Sequence, residues 1–267
     1  MFYIGGLIGD YYGSVYEFEN FDRTKSLFDV EFTTNGKFTD DTVLSVAVMD
    51  WLNECGGSDM TLLSKKLKEW GKLYEHVGYG PRFENWLNSD TYDALGSFGN
   101  GSAMRVFPCA YYANTLEECL LLAEKSAIVT HNTENGISGA KAIAEAIYLA
   151  RSGAGKSDMK RILTEEYFYD LDRSLSEIGT ESHGFDATCQ ITVPEALICF
   201  FESVDFLDAI RKSIWIGGDS DTIACMSASI AEAYYGIPHC IIEQFKPRFP
   251  KDMKDVITKF NETMLER

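Results

Sequence analysis

The chain has 267 residues, of which 45% are hydrophobic, and its 41 acidic and 24 basic side chains give a net charge of −17. This length is enough for a sizeable core, and no linker rich in proline, glycine or serine interrupts the sequence, so one domain over residues 1–267 is predicted. The charge argues against binding to nucleic acid or to an anionic membrane, both of which need clustered lysine and arginine. A small anionic substrate stays compatible if divalent cations reverse the local charge.

The cysteines and the N-terminal segment predict the compartment. The seven cysteines are odd in number, form no CxxC pair and mostly fall in apolar helical patterns. This is typical of free thiols in a reducing environment. The apolar start has no basic segment before it, and no apolar run is long enough to cross a membrane. We therefore expect a cytoplasmic protein, for which a monomer is favoured.

The first predicted helix, within residues 2–17, carries Gly6, Gly9 and Gly13 at helical spacing. Glycine is a poor helix former, so such a stripe indicates close approach to another helix or to a ligand. Residues 28–34 alternate weakly and suit either a short strand or an extended loop.

Almost all of the remaining chain has helical periodicity and helix-start signals. Asp59 is a predicted N-cap, Thr115 and Glu118 form a predicted capping box, and Pro194 is expected in a first turn. Helices are predicted at 41–53, from 59 through 70, from 115, at 134–151, from 157, at 192–201, 205–216, 222–235 and 254–265. The predicted fold is all-α, a single compact multi-helix domain with a buried central layer.

Two clusters of aspartate with hydroxyl residues stand where loops turn into helices: Thr39-Asp40-Asp41-Thr42 and Asp219-Ser220-Asp221-Thr222. Helix capping explains either cluster alone. Carboxylate and hydroxyl oxygens are also hard ligands, suited to Mg²⁺, Mn²⁺ or Ca²⁺ rather than zinc. If the fold joins the clusters, their carboxylates repel one another unless cations or protons neutralise them. The pair therefore predicts an oxygen-ligated site, most simply for two ions.

The loop from Ser97 to Arg105 is the second informative stretch. Gly99 and Gly101 flank Asn100, which would let backbone N–H groups approach a phosphate or diphosphate closely. An ordinary turn before a helix has the same pattern. Arg105 could pair with a phosphate, but pairing with one of the surplus acids is the default expectation.

Three aromatic residues and one histidine complete the candidates. Tyr79 follows Gly78 in a tight loop, and Tyr79, Phe98 and Phe185 could each stack on a flat ring such as adenine, or simply pack in the core. His131 follows an apolar helix among polar residues, where a helix-end cap and a substrate contact are both reasonable. No HExxH motif occurs, so zinc chemistry has no support.

In this order the motifs resemble the ADP-ribosylglycohydrolase family. The resembling segments run from near residue 5 to near residue 238, and are Gly9 to Glu17, Phe38 to Thr42, Gly78 to Gly80, Gly99 to Arg105, His131, and Gly217 to Thr222. The resemblance implies an all-α fold with two Mg²⁺ or Mn²⁺ ions at its centre.

The resemblance also implies roles for matching positions. The implied metal ligands are Thr39, Asp40 and Asp41 on one side and Asp219, Asp221 and Thr222 on the other. Glu17 would be a mobile acidic residue near the ions. The candidate ADP-ribose site comprises Tyr79, Gly80, Ser97, Phe98, Gly99, Asn100, Gly101, Ser102, His131 and Phe185, of which the resemblance itself assigns residues 98–102 and His131. Within it Phe98 would stack on the adenine, and residues 99–102 would hold the diphosphate and ribose.

The implied reaction is hydrolysis of the bond between ribose C1″ and an acceptor atom, with ADP-ribose or an ADP-ribosylated protein as partner. Glu17 or Asp41 would take the proton from water, and the sequence leaves the choice open. Residues 79–82 offer no acid for a guanidinium, which puts an arginine acceptor in doubt and leaves serine-linked, ester and nucleoside-linked forms possible. The alternatives are a reader or immunity-type protein that acts by binding ADP-ribose, and a different metallohydrolase.

Overall fold

The structure is a computed structural model that describes residues 3–18, 21–22, 24–180 and 185–267. Within these ranges the protein contains helices and loops and no β-strand, which confirms the all-α prediction. The helices are α1 Gly5–Gly13, α2 Asp40–Cys55, α3 Met60–Leu73, α4 Pro81–Leu87, α5 Phe107–Tyr112, α6 Leu116–Ile128, α7 Glu134–Arg151, α8 Lys156–Tyr167, α9 Leu175–Thr180, α10 Cys189–Glu202, α11 Phe206–Ile216, α12 Ser220–Tyr235, α13 His239–Phe245 and α14 Lys251–Glu266. Short 3-10 turns lie at Leu27–Asp29, Asn100–Ser102 and Lys246–Arg248.

Helices α1 and α12 pack against each other at the centre of the domain, and both are almost wholly buried. A Cβ atom placed on Gly9 would lie 2.2 Å from the backbone oxygen of Ala224, and one on Gly13 would lie 2.5 Å from the Cα of Asp221. The glycine stripe therefore serves helix–helix contact, one of the two uses expected for it. This contact brings the loop after α1, which carries Glu17, to the start of α12.

Helix α2 forms a second buried layer between α3 and α14. Its N-cap is Thr39, whose side chain accepts a hydrogen bond from the Asp41 N–H at 3.3 Å. Its C-cap is Gly56, which has a φ of 62°. Trp51 is fully buried, and its indole nitrogen donates to the Asp59 carbonyl at 2.7 Å. These contacts fix the axis of α2, and with it the position of the first aspartate cluster at its N-terminus.

The structure corrects one local expectation and decides an alternative that the sequence left open. The helix predicted at 192–201 begins earlier, at Cys189, so Pro194 lies inside α10 rather than in its first turn. For residues 28–34, where a short strand and an extended loop were both open, no strand forms. Instead, the Ser26 hydroxyl accepts from the Phe28 N–H and the Asp29 carboxylate accepts from the Ser26 N–H, which stabilises a 3-10 turn. Local side-chain hydrogen bonds thus outweigh the weak alternation.

The state of the cysteines and the lengths of the apolar helices agree with what the sequence predicts. All seven cysteines are free thiols, and Cys240 is exposed while most of the others are buried. In the part of the chain that the structure describes, no helix is both long and apolar enough to cross a membrane.

Candidate active site

One cavity of about 650 Å³ collects most of the residues singled out in the sequence. It lies between the starts of α2 and α12, the loop after α1, and the loops before α4 and α5. The predicted residues that line it are Glu17, Asp40, Asp41, Tyr79, Gly80, Ser97, Gly99, Asn100, Gly101, His131, Phe185, Asp219, Asp221 and Thr222. Its volume falls in the ~300–1,000 Å³ range typical of pockets that bind small molecules.

The acidic end of the cavity joins the two aspartate clusters. Carboxylate oxygens of Glu17, Asp219 and Asp221 lie within 4.8 Å of one another. Both aspartates are buried, while Glu17 is half-buried. Three oxygens this close in a buried position form a group that could hold a metal ion.

Asp41 connects the two clusters directly. The Thr222 hydroxyl donates to Asp41 Oδ2 at 3.1 Å, and the Thr39 hydroxyl lies 3.4 Å from the same atom. The other carboxylate oxygen, Asp41 Oδ1, is buried and has no hydrogen-bond partner among the described residues. A buried carboxylate oxygen without a partner is unfavourable unless a cation satisfies it.

Asp40 lies between the acidic end and the rim of the cavity. Its N–H donates to the Val77 carbonyl at 3.1 Å. A Cβ on Gly78, which has a φ of 112°, would lie 3.1 Å from Asp40 Oδ1. The absence of a side chain on Gly78 therefore leaves this carboxylate room at the edge of the loop that carries Tyr79.

Asp10 is a site residue whose role the sequence did not reveal. Its carboxylate accepts hydrogen bonds from the Thr39 N–H and hydroxyl, at 2.9 and 2.8 Å, from the Thr42 N–H at 3.1 Å, and from the Thr42 hydroxyl. The only signal in the sequence is an acid inside the apolar helix α1. Asp10 thereby holds the first turn of α2 and orients the cluster from behind.

The carboxyl groups share a strongly acidic, poorly solvated environment. Burial raises the pKa of Asp10 and of Asp219 to about 6, and burial together with Asp221 raises the pKa of Glu17 to about 8. Burial and mutual repulsion raise the pKa of Asp40, Asp41 and Asp221 well above the ordinary value. Such a group ionises together only when positive charge is supplied, so these residues fit divalent cations.

The glycine-rich loop is pinned to the start of α10 and to the acidic end. Asn100 Nδ2 donates to Asp219 Oδ2 at 2.7 Å, and the Asn100 N–H donates to the Ala187 carbonyl at 2.8 Å. Gly99 and Thr188 form an isolated antiparallel bridge. The loop is therefore a rigid wall that links a potential phosphate-binding turn to the carboxylates.

Comparison with known proteins identifies the family to which this site belongs. The sequence profile described as ADP-ribosylglycohydrolase matches residues 2–266. The chain belongs to the ADP-ribosylglycohydrolase family. This places the whole described fold, rather than one segment of it, within that family.

Relatives and one solved structure extend the match. The chain is 27% identical to human ADP-ribosylhydrolase ARH3 over 309 residues, covering 87% of this chain and 84% of the human protein. ADP-ribosylarginine hydrolase Tri1 of Pseudomonas putida strain GB-1 is 25% identical over 267 residues, covering 88% of this chain and 69% of Tri1. A structure of an ADP-ribosylglycohydrolase-related protein complex has a TM-score of 0.71 at 22% identity, covers 98% of this chain and 96% of its own, and shows the same fold.

Three residues assigned by resemblance to this ADP-ribosylglycohydrolase site are not among those that line the cavity. Thr39 lies behind Asp41, in contact with Asp10. The Ser102 hydroxyl donates to the Gly136 carbonyl at 2.7 Å, so it supports the loop from beneath. Phe98 is 45% exposed and lies outside the lining.

A pair of aromatic rings stands at the mouth of the cavity. Phe185 lines the mouth and stacks with Phe18, with ring centroids 5.8 Å apart and an angle of 27° between the planes. Both rings are more than half exposed. Phe18 was not predicted, because an aromatic in a loop carries no positional signal until the fold places it.

Arg105 differs from its expectation. It is fully buried, and its Nη2 donates to the Ser126 carbonyl at 2.9 Å and to the Thr130 hydroxyl at 2.7 Å. Among the described residues it forms no ion pair, so pairing with a surplus acid was wrong. The reason is position: Arg105 lines the cavity, but its Nη2 points towards the end of α6, where it meets a carbonyl and a hydroxyl oxygen rather than a carboxylate.

Proposed function

We propose that this protein is a divalent-cation-dependent hydrolase that removes ADP-ribose from a modified acceptor by cleaving the bond at ribose C1″. The observation that carries the proposal is the meeting of both aspartate clusters, Glu17 and the glycine-rich loop in one cavity. Membership of the ADP-ribosylglycohydrolase family supports the same conclusion. So do the activities for which the human and Pseudomonas relatives are named.

The proposed cation ligands are those implied by the two clusters. They are Thr39, Asp40, Asp41, Asp219, Asp221 and Thr222, which would hold two Mg²⁺ or Mn²⁺ ions. The partnerless Asp41 Oδ1 supports this assignment, and no lysine or arginine among the described residues pairs with these carboxylates. Bound there, the cations would polarise the ribose hydroxyls and lower the pKa of a water molecule.

The rest of the cavity suits the two halves of ADP-ribose. The backbone of residues 99–101, held by Asn100, offers N–H groups to the diphosphate. The exposed ring of Phe185, backed by Phe18, offers a stacking surface for a flat base at the mouth. In this arrangement the ribose C1″ would lie at the acidic end, where negative charge favours an oxocarbenium-like transition state.

Glu17 is the proposed proton-transfer group. It is half-buried and lines the cavity, whereas Asp41 is buried and accepts a hydrogen bond from the Thr222 hydroxyl. In the reaction, a water oxygen bonds to C1″, the bond from C1″ to the acceptor breaks, and one proton from water passes to the acceptor atom. A carboxylate at Glu17 can accept that proton and its acid form can deliver it. Asp41 is assigned to cation binding and orientation.

The rim of the cavity suggests a neutral acceptor. Residues 79–82 contribute no acid, and the exposed Arg82 lines the mouth. An arginine-linked conjugate would have to enter past this rim, where its guanidinium meets a like charge, whereas a serine-linked or ester-linked conjugate would not. We therefore propose serine-linked or ester-linked ADP-ribose ahead of the arginine-linked form.

The test is release of free ADP-ribose from arginine-, serine- and ester-linked conjugates, each with Mg²⁺, Mn²⁺ or EDTA. We expect release from a serine or ester conjugate that stops in EDTA and in the Asp219→Asn, Asp221→Asn double variant. Binding of ADP-ribose without release from any conjugate would contradict the proposal and favour a reader. Release that persists in EDTA would contradict the cation dependence alone.

A further inference from the structure

Three buried polar side chains form a line that ends at the cavity. Arg105 Nη2 donates to Thr130 Oγ1 at 2.7 Å, and Thr130 Oγ1 lies 2.7 Å from His131 Nδ1. Arg105 and Thr130 are fully buried and His131 is 5% exposed, and both Arg105 and His131 line the cavity. None of these contacts belongs to the acidic end, so the line is a separate polar element of the same cavity.

The hydrogen atoms of this line can be assigned by counting donors. Thr130 Oγ1 has a single hydrogen, and Arg105 is always a donor, so the threonine oxygen accepts from the arginine. Among the described residues, Thr130 Oγ1 contacts only Arg105 and the His131 ring. If His131 Nδ1 carried a proton, the threonine hydrogen would be buried without an acceptor, which is unfavourable. The favoured arrangement has Thr130 donating to His131 Nδ1.

The other ring nitrogen, Nε2, then carries the proton and faces the glycine-rich loop. A Cβ built on Gly101 would lie 3.2 Å from His131 Nε2, and one built on Gly99 would lie 3.9 Å from it. The backbone of His131 is fixed as well, because its N–H donates to the Ala127 carbonyl at 2.7 Å. The ring is therefore held at Nδ1 on a fixed backbone, with an N–H donor at Nε2 beside the turn that the diphosphate is proposed to occupy.

We propose that Thr130 and Arg105 are positioning residues that hold His131 as the neutral tautomer with its proton on Nε2, donating to an oxygen of the bound ADP-ribose. This proposal deepens the proposed function and rests on it for the identity of the ligand. In this assignment Arg105 acts on the ring through Thr130, and its buried Nε and Nη1, which have no hydrogen-bond partner among the described residues, play no part. His131 would select an acceptor atom, such as a diphosphate or ribose oxygen, at this place in the cavity.

The surroundings of His131 support a neutral ring. Burial and the nearby Arg105 guanidinium hold the pKa of His131 well below its ordinary value. Arg105 keeps its charge, since burial lowers its pKa only to about 10. A proton on His131 would place a second positive charge beside Arg105, and the two charges would repel each other. The imidazole ring is therefore neutral.

The first test reads the tautomer in the free protein. The ¹⁵N chemical shifts of the imidazole nitrogens distinguish the two neutral tautomers and the imidazolium, and the His131 signals are assigned with His131→Gln. We expect the wild-type ring to show the proton on Nε2 from about pH 5 to about pH 8. A ring protonated on Nδ1, or an imidazolium in this interval, would overturn the proposal without any variant having to fold.

The second test measures ADP-ribose affinity by calorimetry in Thr130→Val, Thr130→Ser, Arg105→Lys, His131→Asn and His131→Gln. We expect Thr130→Val and His131→Asn to weaken binding by about tenfold, the effect of one lost hydrogen bond. The serine variant keeps the hydroxyl and the glutamine variant keeps an N–H near the Nε2 position, so both should restore most of the affinity. Arg105→Lys, which can keep only one of the two Arg105 contacts, should give an intermediate loss.

Two further results separate the possible failures. Thr130→Val is expected to show a mixture of both tautomers, whereas Thr263→Val, which removes an exposed helix hydroxyl bonded to the Lys259 carbonyl, should change neither tautomer nor affinity. An unchanged tautomer and affinity in Thr130→Val would overturn the positioning role. If wild type binds no ADP-ribose, the proposed function fails, but the ring spectra still decide whether Thr130 and Arg105 set the tautomer.

Discussion

Asp41 and Thr222 are 181 positions apart in the sequence, yet the threonine hydroxyl donates to the aspartate carboxylate at 3.1 Å. This contact joins the N-termini of α2 and α12, the two helices that carry the aspartate clusters. It leaves Asp41 Oδ1 buried and without a partner among the described residues. The arrangement explains why Asp41 and Glu17 should differ in function even though both are acids in one cavity.

Glu17→Gln and Asp41→Asn should separate proton transfer from cation binding. We expect Glu17→Gln to lower kcat by about 10²–10⁴-fold while ADP-ribose still binds, because an amide cannot exchange the proton. Asp41→Asn should lower both kcat and Mn²⁺ affinity, since Asp41 is a proposed ligand. Turnover and Mn²⁺ titration calorimetry check both variants, with the exposed Glu84→Gln as the matched control. Full activity of both at saturating Mn²⁺ would remove both residues from the mechanism.

Asp10→Asn should weaken cation binding although Asp10 is not a proposed ligand. The carboxylate accepts four hydrogen bonds from Thr39 and Thr42, whereas an asparagine amide has one acceptor oxygen and turns its NH₂ group towards donors. Loss of such support behind a ligand typically lowers metal affinity about 10–100-fold. Mn²⁺ calorimetry measures this. Asp22→Asn, which removes a carboxylate that accepts from Thr24 at an exposed turn, is the control. Equal affinities in the two variants would argue against the positioning role.

Stability without cations should fall as pH rises. Asp10 and Asp219 have a pKa of about 6 and Glu17 of about 8 in the folded protein, above the ordinary value near 4 in an unfolded chain. The folded state therefore binds more protons at these three groups, so their contribution to stability is fully present below about pH 4 and is lost as pH rises through 6 to 8. We expect the Tm in EDTA to be about 5–10 °C lower at pH 8 than at pH 5. Thermal denaturation at both pH values measures the difference.

Mg²⁺ should remove most of this pH dependence, because it neutralises the cluster and binds only the folded state. A smaller fall should remain from Glu232, which is buried in α12, accepts from the Gly5 N–H at 2.7 Å, and has its pKa raised to about 8 by burial. Glu232→Gln should abolish that remainder, while the exposed Glu117→Gln should not. A Tm that responds to pH equally with EDTA and Mg²⁺ would show that the carboxylates do not bind the cation.

Gly9→Ala should destabilise the domain through its helix contact. A methyl group there would lie 2.2 Å from the Ala224 oxygen and 2.6 Å from its carbonyl carbon, which forces α1 away from α12. Overpacking of this kind costs about 1–3 kcal/mol, measured by urea denaturation. Gly155→Ala is the matched control, since a methyl group at that position would have no atom within 4 Å. Equal urea midpoints for the two variants would show that α1 and α12 accommodate the added methyl group without loss of stability.

The fold class and the acidic site could be predicted from sequence because both leave local patterns. Helical periodicity and capping residues are encoded within a few turns, and Asp59 and Thr115 are N-caps as expected. The Asp-Thr clusters stand out because adjacent acids at a helix start are a local feature. The early start of α10, three residues before the predicted one, was missed because Pro194 resembles a first-turn proline although five residues of helix precede it.

The sequence by itself determined an all-α domain, a negative surface, free thiols and two helix starts rich in oxygen ligands. Only the tertiary structure decided that α1 packs on α12, so that Asp10, Glu17 and Asp221 surround the first turn of α2. The same packing buried Arg105 in the cavity wall, bonded to Thr130 instead of an acid, and placed Phe18 rather than Phe98 beside Phe185 at the mouth. The physical reason is that hydrogen-bond partners and charge repulsion depend on distances in space, whereas helix formation depends mainly on neighbours along the chain.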